Sequence, residues 1–161
     1  MQIHALREIE EKLSTQVTQW LAESFPQAFL VEARLRMHRA EPEVYLRVDT
    51  DTGITLEQCV QIHLFLKAKL GDTSWLPDNF VLSVSSPGIG SPLKLRRQYP
   101  QNIGRFLSVK LTDGRQVRGV LQEVLERGIR LRGTPRPVFI PWEKILFSRV
   151  ELPKSHKPLK S

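Results

Sequence analysis

Residues 83–99 divide the chain into two parts. They read Ser-Val-Ser-Ser-Pro-Gly-Ile-Gly-Ser-Pro-Leu-Lys-Leu-Arg-Arg-Gln-Tyr, with Pro87, Gly88, Gly90 and Pro92 inside six residues. Because proline fixes its own φ and lacks an amide donor, this stretch turns the backbone and ends regular structure. The chain therefore divides into an N-terminal domain over 1–86, a linker over 87–99, a second domain over 100–152 and a flexible basic tail over 153–161.

The two parts also differ in charge. Residues 1–84 contain 8 basic and 12 acidic side chains, a net charge of −4, whereas residues 85–161 contain 16 and 5, a net charge of +11. A half with this much positive charge attracts polyanions, and nucleic acid is the abundant polyanion of the cytoplasm. The alternative is a basic surface that serves solubility alone.

Composition excludes several classes of protein. The chain has 161 residues, of which 40% are hydrophobic and 25% charged, as in an ordinary globular protein. A single cysteine, Cys59, cannot form a disulfide scaffold or a cysteine-rich zinc site. No apolar run approaches the roughly 20 residues of a membrane span, and acids occupy the place of a signal-peptide core. We expect a cytoplasmic protein with no membrane association, metal or other cofactor.

The first half has the pattern of a small α/β domain. Apolar residues at spacings of three and four from Leu6 to Leu21 predict a helix. Thr55 and Gln58 form a capping-box pattern that begins a second helix, which ends near Leu70. Alternating patterns predict strands over 31–37, 44–48 and 80–84. The order α-β-β-α-β predicts two helices on one face of a three-stranded sheet.

One pair of residues in the second helix has the spacing of metal ligands. Cys59 and His63 are four residues apart, but no second pair completes four ligands. We therefore expect both side chains to pack in the core. The face expected to be buried comprises Leu56, Cys59, Val60, His63, Leu66 and Leu70.

The second half has the pattern of a small all-β domain. Alternating residues over 107–111 lead into a hairpin turn at Thr112-Asp113-Gly114, and Gly119 interrupts the long strand that follows. Further strands are predicted over 129–132, 138–140 and 146–152, with a short break over 141–145. Five short strands in about 50 residues predict an SH3-like or Sm-like barrel, so the whole chain is predicted to be α+β.

Basic side chains in the linker and barrel are the candidate contacts for RNA. Arginine and lysine bind phosphates, and tyrosine can stack on a base. The alternative is a solvated surface whose charges contact nothing specific. The candidate RNA- or ribosome-binding residues are Lys94, Arg96, Arg97, Tyr99, Arg105, Lys110, Arg115, Arg118, Arg130 and Arg132.

Four segments, 49–59, 84–93, 103–111 and 140–152, resemble the ribosome maturation factor RimP family, and the likeness extends from Leu6 to Leu152. The most specific element is the Ser-Ser-Pro-Gly turn followed by Pro-Leu. Its residues here are Ser85, Ser86, Pro87, Gly88, Pro92 and Leu93. Gly90 and Ser91 stand where the family commonly carries a charged pair.

The resemblance implies an N-terminal α/β domain and an SH3-like, Sm-like barrel, with the motif residues setting the geometry between them. It also implies a monomeric, non-catalytic assembly factor of the small (30S) ribosomal subunit. Such a factor binds free small-subunit particles through rRNA and a ribosomal protein. An enzyme is not expected, because His4, His38 and His156 lie in a terminus, a turn and a tail. The alternative is a free-standing Sm-like regulator that binds messenger or small RNA.

Overall fold

The computed structural model describes residues 3–37, 41–88, 91–133 and 135–151. The chain forms two compact units, Met1–Pro87 and Gly88–Ser161. The predicted tail, together with His38, Gly90 and His156, lies outside the described residues. Within the described ranges, no helix has the length and apolar character needed to cross a membrane.

The first unit has the predicted order of elements. Its helices are Ile3–Ser24 (α1) and Leu56–Gly71 (α2), and its strands are Ala28–Met37 (β1), Pro42–Thr50 (β2) and Val81–Ser85 (β3). β2 lies in the centre of the sheet, antiparallel to β1 and parallel to β3. The return from β2 to a parallel β3 is made by α2, as a parallel crossover requires.

The start of α2 is fixed by two reciprocal hydrogen bonds. The Gln58 amide donates to Thr55 Oγ1 at 3.1 Å, and the Thr55 amide donates to Gln58 Oε1 at 2.9 Å. This capping box satisfies backbone donors that the first turn of a helix leaves without a partner.

The core of the first unit lies between both helices and one face of the sheet. Alternate residues of β2 are fully buried, and they form one cluster with residues from both helices. The fully buried members are Leu13, Val17, Leu21, Val44, Leu46, Val48, Leu66 and Leu70. The residues that alternate with these on β2, Glu43, Tyr45 and Arg47, belong to the opposite face, which carries no helix in the described part of the chain.

The prediction for the buried face of α2 was partly wrong. Leu56 is 82% exposed and Val60 is also exposed, whereas Ile62 is buried beside Leu66. Since α2 has apolar residues on more than one side, its periodicity did not distinguish the face that meets the sheet. Cys59 and His63 are both half-buried and neither belongs to the core cluster, so the expected core packing of these two residues is only partial. The Cys59 thiol lies 3.6 Å from the Val84 carbonyl oxygen.

The second unit is a five-stranded antiparallel sheet. Its strands are Phe106–Leu111 (β4), Gln116–Val124 (β5), Gly128–Arg132 (β6), Val138–Pro141 (β7) and Ile145–Val150 (β8). Their order is β7-β6-β5-β4-β8. Among the described residues no ladder joins β7 to β8, so the all-β prediction is confirmed but closure into a barrel is not observed.

The core of the second unit lies on one face of this sheet. Its fully buried members are Leu107, Val109, Leu121, Ile129 and Leu131. A bulge interrupts the β5–β6 register between Leu121 and Glu123. At Gly119 the strands approach so closely that a Cβ would lie 2.6 Å from the Arg132 carbonyl oxygen. The glycine therefore permits close backbone packing.

Several residues from the predicted linker are built into the second unit. The Leu93 amide donates to the Ser148 carbonyl at 2.6 Å, and the Ser148 amide donates to the Leu93 carbonyl at 3.2 Å. Two short 3₁₀ turns, Arg96–Gln98 and Pro100–Asn102, then lead into β4. The basic stretch that begins at Lys94 is therefore held against the sheet and is not a free connection.

Candidate nucleic-acid interface

The outer face of the second sheet brings together basic and aromatic residues that are distant in sequence. Residues directly opposite each other on neighbouring strands lie on the same face. The register therefore aligns Arg149, Ser108 and Arg118 in one row. The adjacent row contains Phe147 and Lys110. We define the outer sheet surface as Phe106, Lys110, Arg118, Arg132, Phe147 and Arg149.

This arrangement suits a polyanion with exposed bases. Arg149 and Arg118 are separated by two strand spacings, roughly 10 Å between Cα atoms. The Arg149 guanidinium lies 5.4 Å from the centre of the Phe147 ring, which gives a mixed cationic and aromatic surface. Phe106 is an exposed large hydrophobic side chain on the same face. Such a surface can bind phosphates and provide stacking contacts for bases.

Ion pairs on this unit are accessible to solvent. Arg118 lies 3.4 Å from Glu151, and Arg130 lies 2.7 Å from Glu123. Exposed pairs of this kind contribute about 0.2 to 1 kcal/mol at most, so their arginines can exchange a carboxylate for a phosphate. Two of the predicted residues, Arg118 and Arg130, are therefore positioned with acidic partners that are easily replaced.

Arg115 is engaged in the β4–β5 hairpin. Its backbone amide donates to Asp113 Oδ1 at 2.9 Å and its Nε donates to Asp113 Oδ2 at 2.8 Å. The backbone hydrogen bond from Arg115, followed by its side-chain hydrogen bond, lowers the pKa of the Asp113 carboxyl. The pair thus stabilises the turn, and Arg115 lies beyond the rows that define the outer sheet surface.

A cleft of 180 Å³ forms a second basic region within the same unit. The Gln98 Oε1 atom accepts hydrogen bonds from the Lys94 and Leu95 amides at 2.8 and 2.9 Å, which fixes the loop at the cleft. The Arg96 guanidinium lies 5.3 Å from the centre of the Trp142 ring. The cleft is lined by Leu93, Lys94, Arg96, Tyr99, Trp142, Glu143, Ile145 and Leu146.

The structure corrects the role predicted for Tyr99. Its side chain is only 2% exposed, and its hydroxyl lies 2.7 Å from Ser148 Oγ. Burial raises the pKa of Tyr99, while the hydrogen bond with Ser148 partly opposes this effect. A buried ring cannot stack on an incoming base. Tyr99 instead packs edge-on against Trp142 at 5.0 Å and supports the cleft.

Trp142 is the aromatic residue that sequence reasoning missed at this cleft. Its indole Nε1 donates to the carbonyls of Leu125 and Glu126 at 3.2 and 3.0 Å, which fixes the ring. The sequence feature that could have identified it is its position directly after a proline, in the predicted break between two strands. Arg149 and Phe147 were missed because the alternation of the last strand was not resolved into its two faces.

The remaining predicted residues are dispersed. Arg97 is exposed in the first 3₁₀ turn, and Arg105 donates to Asn102 Oδ1 at 3.0 Å just before β4. The family motif spans the boundary between the units. Ser85 ends β3 and Pro87 ends the first unit, whereas Leu93 pairs with a strand of the second.

Fold and surface together define an α+β protein of two compact units, the second of which carries a basic and aromatic sheet surface. The sequence matches the RimP N-terminal domain family over residues 27–90. Ribosome maturation factor RimP of Cytophaga hutchinsonii is 33% identical over 130 residues, which are 80% of this chain and 77% of that protein. The protein of the same name from Pelodictyon phaeoclathratiforme is 33% identical over 128 residues, 72% of this chain and 74% of that protein.

A third relative, ribosome maturation factor RimP of Flavobacterium psychrophilum, is 32% identical over 127 residues, 79% of this chain and 77% of that protein. These similarities extend beyond the first unit, because each covers more than two thirds of the chain. The chain belongs to the RimP family of ribosome maturation factors.

Proposed function

We propose that this protein is a non-catalytic maturation factor of the small ribosomal subunit, which binds free small-subunit particles in the cytoplasm through rRNA and a ribosomal protein. Similarity to proteins named ribosome maturation factor RimP supports the ribosomal role. The observation that carries the RNA contact is the alignment of Arg149, Arg118 and Lys110 with Phe147 on one sheet face.

Binding of rRNA would be reversible and sensitive to salt. The arginines of the outer sheet surface bind phosphates and release counterions, so affinity falls as salt rises. Phe106 and Phe147 add stacking contacts with unpaired bases. The protein thereby holds a local rRNA fold and leaves when later ribosomal proteins bind.

The contact with a ribosomal protein is proposed at β7. This strand is an edge of the sheet, and Val138 and Phe139 are exposed on it. An edge strand offers backbone donors and acceptors to an extended segment of another chain. A loop or tail of a ribosomal protein can therefore add as a further strand.

We further propose that the five-stranded sheet is a small SH3-like barrel and that the two units are separate domains. One apolar cluster lies on one face of the second sheet, and a 3₁₀ turn, Trp142–Lys144, joins its two outer strands. Two separate core clusters support independent domains. The Ser-Ser-Pro-Gly motif falls where the two units meet in sequence, which supports a role for it in interdomain geometry.

The proposed RNA contact is tested with the double variant Arg118→Ala/Arg149→Ala and purified free small subunits. We expect binding in a sedimentation assay to weaken about tenfold at low salt. The slope of log affinity against log salt should fall by about 1.4, as two lost contacts to single-stranded RNA predict. The matched control, Arg127→Ala/Lys144→Ala, removes two exposed charges that lie off the outer sheet surface. Equal effects of both variants would show that only total charge matters.

The second candidate is a free-standing Sm-like regulator, which the edge strand β7 favours. β7 of one copy could pair with β8 of the next at positions that the Leu93–Ser148 bridge leaves open, and repeated head-to-tail pairing would close a ring. Light scattering discriminates the two functions, because a maturation factor should have the chain mass of 18.5 kDa in solution. A multiple of this mass would favour the ring.

A further inference from the structure

We propose that the open face of the first sheet is a second RNA site, which takes unpaired nucleotides on a surface built around Tyr45. This inference rests on the proposed function, since it assumes that the protein meets RNA, but it places a contact in the acidic half of the chain. The charge distribution did not predict nucleic-acid binding by the N-terminal half, because residues 1–84 have a net charge of −4.

The register of the first sheet brings three arginines and the tyrosine together. Tyr45 lies opposite Arg34 on β1 and Ser83 on β3. The next row contains Arg47 between Glu32 and Ser85, and the row on the other side pairs Arg36 with Glu43. All of these residues lie on the face opposite the helices. We define the Tyr45 surface as Arg34, Arg36, Tyr45, Arg47, Ser83 and Ser85.

Two hydrogen bonds hold the Tyr45 ring in place. Arg47 Nε donates to the phenol oxygen at 2.8 Å, and Ser85 Oγ donates to it at 3.1 Å. The hydrogen bond from Arg47 makes the larger contribution and that from Ser85 the next, and both lower the pKa of Tyr45. With both acceptor positions used, the hydroxyl proton remains to donate to a ligand. The ring is ordered before binding, so stacking on it costs little additional side-chain entropy.

Arg36 enlarges the stacking surface. Its guanidinium carbon lies 4.1 Å from the centre of the Tyr45 ring, whereas that of Arg47 lies 5.7 Å away. A planar guanidinium stacks on an aromatic face on one side and on a base on the other. Arg36 Nη1 also lies 3.7 Å from Glu43 Oε1, and this ion pair helps to hold the guanidinium in place. Ring and guanidinium thus form a two-layer platform.

The charge that this face presents outward is positive. The side chains of Arg34 and Arg36 are 55% and 49% exposed, whereas those of their partners Glu32 and Glu43 are 21% and 22% exposed. The carboxylates therefore lie lower on the sheet and the guanidiniums lie nearer solvent. An anionic ligand meets the arginines first, which is the charge complementarity that a phosphate backbone requires.

The geometry favours single-stranded RNA over a duplex. A sheet face with an aromatic ring on its central strand binds bases through their faces, and a duplex keeps those faces stacked internally. Ser83 and Ser85 add hydroxyl groups on the same face, which can pair with a ribose 2′-hydroxyl. Unpaired rRNA segments in an immature subunit are the source of such nucleotides.

The test uses the full-length protein and a labelled 12-nucleotide oligouridine, with a 12-base-pair RNA duplex as the second probe. Fluorescence anisotropy at one fixed salt concentration measures the dissociation constant. Removal of one stacking residue should weaken binding of the single strand by about fivefold or more. We expect this for Tyr45→Ala and Arg36→Ala, with less than a twofold change for the duplex. Arg7→Ala is the matched control, since it removes an exposed arginine from α1 of the same unit and should have no effect.

Tyr45→Phe keeps the ring and removes only the hydroxyl, so it should retain most of the affinity. A circular dichroism melt of each variant identifies any loss of RNA affinity that is caused by unfolding. If Tyr45→Ala is unfolded, the surface variants Arg34→Ala and Arg36→Ala test the site in its place. If all Tyr45-surface variants bind oligouridine like the wild type, the inference is overturned. It is also overturned if they lose affinity only for small-subunit ribosomal proteins, because the face is then a protein contact.

The double variant Arg118→Ala/Arg149→Ala separates this inference from the proposed function. If the double variant weakens RNA binding and Tyr45→Ala does not, the result supports the outer sheet surface as an RNA site and rejects the Tyr45 surface. If Tyr45→Ala weakens binding and the double variant does not, the result supports the Tyr45 surface and rejects the proposed outer-sheet contact. Independent losses in both variants support two sites in one chain.

Discussion

The two tyrosines of this chain lie in different sheets and in opposite environments. Tyr45 lies on the open face of the first sheet, where hydrogen bonds from Arg47 and Ser85 lower its pKa. Tyr99 is buried beside Ser148 in the second unit, and burial raises its pKa. The same residue type therefore serves as a surface platform in one unit and as a core support in the other, and composition does not distinguish the two roles.

The largest expected effect is the loss of stability when a buried leucine is removed from one of the two separate cores. Leu46→Ala removes a fully buried side chain of the first unit, and we expect it to lower the free energy of unfolding of that unit by about 2 to 5 kcal/mol. Leu131→Ala should do the same for the second unit. Fluorescence of Trp142 alone, in a Trp20→Phe/Trp75→Phe background, follows the second unit during urea unfolding. A shift of that transition by Leu46→Ala would contradict separate domains.

The buried role of Tyr99 predicts a smaller effect. Tyr99→Phe leaves the fully buried Ser148 hydroxyl without its phenol partner and should cost about 1 to 3 kcal/mol in urea unfolding. Adding Ser148→Ala should recover part of this loss, because it removes the hydroxyl that Tyr99→Phe leaves without a partner. A double variant less stable than Tyr99→Phe would indicate that Ser148 has another function.

The capping box of the first unit predicts an effect of about 1 kcal/mol. Thr55→Ala removes the side-chain oxygen that accepts from the Gln58 amide and should lower the stability of the first unit by this amount. Thr55→Ser keeps the acceptor and is the matched control. Equal losses in both variants would assign the effect to packing of the threonine methyl group.

The two tyrosines should also titrate separately. Absorbance at 295 nm should show Tyr45 ionising below the usual pKa of about 10 and Tyr99 ionising above it. Because the folded state raises the pKa of Tyr99, its contribution to stability is complete below about pH 10 and is lost as the pH rises toward the folded pKa. The lowered pKa of Tyr45 has the opposite sign, so its contribution is complete above about pH 10 and is lost as the pH falls through its folded pKa.

Tyr99→Phe should remove the upper step, and Tyr45→Phe the lower one. A single step at the usual tyrosine pKa in the wild type would contradict the contrast between the two environments. The experiment is sensitive because the chain contains no other tyrosine.

Sequence reasoning succeeded where the signal is local. Thr55 and Gln58 are three residues apart, and they form the capping box that their types predict. The alternation of β2 correctly assigned Val44, Leu46 and Val48 to the core. The face of α2 was assigned less well, because Leu56 and Val60 belong to the same apolar periodicity as buried residues but point away from the sheet.

The candidate RNA contacts were predicted as residue types but not as a surface. Arg118 and Lys110 were identified from a basic segment, whereas Arg149 and Phe147 became part of the same surface only through the β4–β8 register. Tyr99 was assigned a stacking role because it follows two arginines in sequence. Its buried hydroxyl pairs with Ser148, a residue 49 positions away that no local pattern connects to it.

By itself the sequence determined the order of helices and strands, the boundary at the Ser-Ser-Pro-Gly turn, the split of charge between the two halves and the resemblance to the RimP family. The tertiary structure alone decided which side chains share a face: Arg149 with Arg118 in one sheet, and Arg36 with Tyr45 in the other. The physical reason is that periodicity acts over a few residues, whereas strand register is set by packing between segments far apart in the chain.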